Sequence, residues 1–114
     1  MTEFPILNLK NWTRLLDSGG CLVMIVFETG WSDSAQRVLE VADKLFTQYR
    51  PELAVVRVQI DRDPDIGTLF GVTSVPYAVF TREAEVAGSV EGLQGYDVYE
   101  RAVVSLLERT QAPV

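Results

Sequence analysis

Cys21-Leu22-Val23-Met24-Ile25-Val26-Phe27 leads through Glu28-Thr29-Gly30 into Trp31-Ser32-Asp33-Ser34-Ala35. Seven apolar residues in a row, rich in branched side chains and without polar alternation, read as a central strand buried on both faces. Ser32 and Asp33 are good helix N-caps. From there an apolar stripe of Val38, Leu39, Ala42, Leu45 and Phe46 predicts a helix to about residue 49, and Pro51 bars its continuation. A buried strand that turns through a tryptophan into a long helix decides how the flanking sequence is read.

Toward the N-terminus, Phe4-Pro5-Ile6-Leu7 reads as a short edge strand, where a proline lacking an N–H is tolerated. Asn8 is placed to cap a helix with Leu9, Trp12, Leu15 and Leu16 on one face, stopped by Ser18-Gly19-Gly20. Toward the C-terminus, residues 53–60 alternate Val55, Val58 and Ile60 with Arg57 and Gln59, as a strand does. Asp63 followed by Pro64 predicts a capped short helix to Phe70, ended by Gly71. Residues 77–81 and 85–90 read as two successive strands. Residues 96–109 read as a last helix with Val103, Val104, Leu106 and Leu107 inward. The order predicts an α/β protein: one domain over residues 1–114, with a mixed sheet of about five strands between about four helices in three layers.

Composition narrows the function classes. A chain of 114 residues, 47% hydrophobic, buries enough surface to need no disulfide or metal. A formal net charge of −6 argues against nucleic acid and anionic membranes as partners, and the carboxylates read as spread along the chain for solubility. One cysteine and no histidine exclude an internal disulfide and a thiol–imidazole pair, so neither metal nor cofactor is expected. Met1-Thr2-Glu3-Phe4 lacks the basic start of a secretion signal, and seven apolar residues are too few to span a bilayer; a cytoplasmic location is the expectation.

Four motifs together resemble the thioredoxin family over about residues 4–110. They are the Trp31 turn, Ile60-Asp61-Arg62-Asp63-Pro64, Phe70-Gly71-Val72-Thr73-Ser74-Val75-Pro76, and Gly92. The resemblance implies a thioredoxin-like fold and a cis Val75–Pro76 bond. It also places Ser32 and Ala35 where the family carries its two reactive cysteines. A serine hydroxyl is far less acidic than a thiol, and alanine has no reactive atom, so thiol–disulfide exchange is excluded at this motif. Cys21 begins the same strand roughly 20 Å from its far end, and reads as a small buried hydrophobe. The family's buried acid corresponds to Val26 and its nearby lysine to Arg57, so the charged helper reads as lost.

Ser32, Asp33 and Ser34 read first as capping residues. The resemblance also implies a groove for an extended peptide, formed by Trp31, Ser32, Asp33, Ser34, Val75, Pro76 and Gly92. Trp31 is open to either an exposed or a half-buried reading, while Trp12 reads as core. The expected function is a non-redox module that binds protein or extended peptide, chaperone-like or assisting assembly. The alternative is a cysteine-substituted disulfide oxidoreductase, and a third reading is an oligomerising subunit with a vestigial groove. No nucleic-acid or membrane partner is expected, and a homo-oligomer is allowed.

Overall fold

A computed structural model describes residues 4–17 and 19–110, the Thr110 side chain excepted. Its elements are α1 (Trp12–Leu16), β1 (Leu22–Glu28), α2 (Asp33–Tyr49), β2 (Leu53–Gln59), α3 (Pro64–Leu69), β3 (Tyr77–Arg82), β4 (Glu85–Glu91) and α4 (Tyr96–Thr110). The sheet has the order β2-β1-β3-β4. β1 pairs in parallel with β2, from Leu22↔Leu53 to Glu28↔Gln59. It pairs antiparallel with β3, from Val23↔Thr81 to Phe27↔Tyr77. Every residue of β1 is buried, which accounts for the uninterrupted apolar run.

Alternate β1 side chains feed two cores. Leu22, Met24 and Val26 pack with Val38, Ala42 and Leu45 of α2 and Tyr99, Val103 and Leu106 of α4. Val23, Ile25 and Phe27 pack on the opposite face with Leu16 of α1, Ile66 of α3 and Val72. The result is the expected three-layer α/β arrangement, a thioredoxin-like fold. The sheet has four strands where about five were expected. Residues 4–7 contribute only an isolated parallel bridge, Ile6↔Arg57. Leu7 N–H donates to Arg57 O at 2.8 Å, and Arg57 N–H donates to Pro5 O at 3.0 Å. Pro5 has no N–H of its own to lengthen the ladder.

The first helix is shorter than its pattern predicts. Asn8 Oδ1 accepts from the N–H of Lys10 at 2.8 Å and of Asn11 at 3.0 Å, the bonds of an N-cap, and Trp12 N–H donates to Asn8 O at 3.0 Å, but residues 9–11 form only a turn. The helix therefore starts only at Trp12, and Leu9 is left half exposed instead of inward. Trp12 is half-buried against the second core, not enclosed by it. Ser18, read as part of the helix stop, lies outside the described residues. α3 begins at Pro64 as expected, but the Asp63 side chain makes no capping bond. In α4, Val103 and Leu106 are buried whereas Val104 and Leu107 are half-buried. The Arg50–Pro51 and Val75–Pro76 peptides are both cis.

Candidate functional site

The strand directions bring four chain segments to one end of the sheet: the exits of β1, β2 and β4, and the entry to β3. Trp31 lies in the first of these and is 75% exposed. Ser32 follows as the N-cap of α2, its Oγ accepting from Ala35 N–H at 3.2 Å. Asp33 is exposed in the first helical turn, where its charge complements the helix dipole, and Ser34 is half-buried beside it. Ala35, at the second family cysteine position, is fully buried.

The β3 entry brings Val75 and Pro76 to the same end. The β1–β3 ladder ends at Phe27↔Tyr77; continuing its register by two residues would set Val75 across from Thr29, close in sequence to Trp31. Pro76 is buried and Val75 half-buried. Within the described structure the Val75 N–H and C=O take no hydrogen bond. Gly92 holds a φ of +77°, a conformation that favours glycine, and its N–H donates to Pro76 O at 2.9 Å. The Tyr99 hydroxyl donates to Gly92 O at 2.6 Å and ties that loop to α4.

Beneath this surface the structure corrects one sequence reading. Val26 is indeed an apolar core residue opposite Arg57 in the register. A buried acid is nevertheless present two residues later on the same strand face. Glu28 is 1% exposed, with Oε2 accepting from Arg57 Nη1 at 3.4 Å. Burial pushes its carboxyl above the ordinary value; the Arg57 charge opposes that shift and Asp61 adds to it. The side-chain Thr29 Oγ1 and Arg57 Nε are buried without partners. The signal was present in the sequence as a charged residue ending an apolar run. Its meaning depended on the register that sets it near Arg57.

Two further expectations change. Cys21 lies just before β1, at the opposite end from Trp31, as expected, but it is half-buried and not enclosed. Its thiol donates to Pro51 O at 3.2 Å. The acidic charge is also not evenly spread. Residues 8–11, 28–34, 57–65, 71–76 and 91–97 come together at the Trp31 end, with seven carboxylates against Lys10, Arg57 and Arg62, or −4 of the formal −6. Among the described residues no group of three or more His, Cys, Asp or Glu is placed to hold a metal ion. The turn offers a capped helix end, an exposed indole and an unpaired backbone segment, with no thiol.

No protein-family model matches the chain. In sequence it is similar to an M-type chloroplast thioredoxin of Pisum sativum, 23% identical over 92 residues, covering 81% of this chain and 54% of that protein. It is also similar to monothiol glutaredoxin-4 of Saccharomyces cerevisiae, 24% identical over 122 aligned positions, covering 99% of this chain and 50% of the relative. The chain thus spans about half the length of these relatives. Among solved structures, a mutant thioredoxin from Halobacterium salinarum superposes with a TM-score of 0.78 at 23% identity, covering 92% of this chain and 95% of that one. Oxidized mitochondrial thioredoxin 3 from Saccharomyces cerevisiae gives 0.79 at 22% identity, covering 90% and 94%. The chain thus has the thioredoxin fold and is similar in sequence to thioredoxins, while its single cysteine lies just before β1 and it lacks the Cys-x-x-Cys pair.

Proposed function

We propose that this protein binds an extended segment of a partner protein at the surface between Trp31 and Val75, and works there without thiol–disulfide exchange, as a chaperone-like or assembly module. The observation that carries this reading is the unbonded Val75 backbone at the same end of the sheet as a 75% exposed indole. A free N–H and C=O at a strand entry are suited to strand addition, in which main-chain bonds supply affinity and adjacent side chains supply selectivity. Trp31 adds apolar area at the edge of that segment, and large aromatic contacts of this type often dominate binding energy. Ser32, Asp33 and Gly92 flank the segment, with Ser34 behind them in the first turn of α2.

Peptides selected from a display library on the wild-type chain test this reading. Trp31→Ala should weaken their binding by about tenfold or more, the loss of one aromatic anchor, while leaving the melting temperature nearly unchanged. Selected peptides that bind the variant as tightly would rule out the groove.

The buried Glu28–Arg57 pair favours a second reading, in which the chain derives from an active oxidoreductase whose cysteines were substituted. The two readings divide on the double variant Ser32→Cys with Ala35→Cys. Under the binding reading it reduces insulin no faster than the uncatalysed background. A clear gain in rate would favour the second reading, because it would show the surrounding groups still able to support a thiolate.

A further inference from the structure

The surface around Trp31 differs in charge from the rest of the molecule. Its segments carry a formal −4 over 33 residues, whereas the other 81 residues of the chain carry −2. Of the charges at this end, Arg57 bonds Glu28 beneath the surface and Asp97 pairs with Arg101 of α4 at 3.7 Å, while Lys10 and the exposed Arg62, next to Asp61 in the chain, are the other cations. Asp33 is two residues from Trp31 and exposed; Arg37, the cation nearest to it on α2, is a full turn further along the helix. Glu91 is exposed and stands opposite Tyr77 in the β3–β4 register, next to both Pro76 and Gly92. Asp61 is exposed where β2 ends. Asp33, Asp61 and Glu91 therefore lie on three separate segments at the same end of the sheet as the unbonded Val75 backbone.

A second, independent feature lies at the same place. Thr29 is only 7% exposed, its hydroxyl has no partner, and the continued register would set it across from Val75. Buried polar atoms without a partner are uncommon in folded proteins. By that continued register it lies near the backbone that an added strand would use.

We infer that the groove selects extended segments carrying lysine or arginine, with their cationic side chains reaching Asp33, Asp61 or Glu91. The inference rests on the strand-addition reading above and adds the class of partner. Exposed charges of this type contribute selectivity and encounter rate more than affinity, and their effect is screened by salt.

The test uses the full chain and three blocked, extended peptides of alternating valine and threonine. They differ only in carrying two lysines, two glutamines or two glutamates. Binding is measured by calorimetry and by the amide shifts of Val75 and Gly92. The lysine peptide should bind about tenfold more tightly than the glutamate peptide at low salt, and the advantage should shrink severalfold in about 0.5 M NaCl. Asp33→Asn combined with Glu91→Gln should narrow the gap by roughly threefold or more at low salt. If all three peptides bind equally and Trp31→Ala abolishes them all, the groove stands and the selectivity is wrong. If the lysine preference persists unchanged in Trp31→Ala, or no peptide shifts Val75, both the selectivity and the groove reading are overturned.

Discussion

Replacing Phe27 with alanine is expected to lower the unfolding free energy by about 3–5 kcal/mol, measured by urea denaturation, and to abolish peptide binding at the Trp31 end. Phe27 is fully buried in the core shared with α1 and α3. Its ring meets Phe70 edge-on, with centroids 5.9 Å apart. Phe70 begins the stretch that ends at Val75 and Pro76, and Phe27 itself pairs with Tyr77 at the β3 entry. Truncation removes the ring's contacts and leaves a cavity under the segment that presents Val75. Phe27→Leu keeps most of the apolar volume and should recover over half of the lost stability. If binding survives Phe27→Ala while stability falls, the 70–76 segment is positioned by other contacts.

Arg57→Ala should destabilise the fold by about 2–3 kcal/mol at neutral pH, toward the low end for breaking a buried ion pair because Arg57 is 28% exposed. The cause is Glu28, left as a buried carboxylate without its cation. The expected pH dependence follows from the direction of the Glu28 shift, which lies above the ordinary carboxylate value. Folding favours the protonated form, so its contribution is fully present below the unfolded-state value and is lost as pH rises through the folded-state value. Removing Arg57 takes away the charge that holds the shift down, so the variant should lose most at pH 7 and recover much of that loss near about pH 4. Adding Glu28→Gln to Arg57→Ala should relieve the deficit at pH 7. A loss that is the same at both pH values would show that Arg57 acts through the packing of its stem.

Much of the fold was legible because the signals were long and mutually consistent. The apolar run into β1 and the stripe from Val38 to Leu45 placed the central strand and α2 within a residue or two of their observed bounds. Short elements were less legible. Asn8 was readable as a cap, and the reciprocal bond from Asn8 N–H to Asn11 Oδ1, at 2.8 Å, completes that capping pattern, but residue type did not show that regular helix would start only at Trp12. The Ser32 cap was readable from residue type alone, since its partner is three residues away. Glu28 was not, because its partner lies on a neighbouring strand 29 positions along the chain. The clustering of charge was hidden for the same reason: Asp33, Asp61 and Glu91 are far apart in sequence and meet only through topology.

The bridge at Ile6 has a consequence for how the sheet meets its surroundings. An open sheet has two outer strands, and unpaired backbone on either is a template for unwanted association. Here the two sides are defended by different means. β2 is screened by the Pro5–Leu7 backbone, which occupies both the N–H and the C=O of Arg57. β4 has no strand neighbour on its outer side among the described residues; it is marked instead by terminal Glu85 and Glu91 and by a register irregularity opposite Phe80 and Thr81. One flank is shielded by the chain itself, and the other relies on like-charge repulsion and a broken register. Self-association, if provoked by high salt or low pH, would therefore begin along β4.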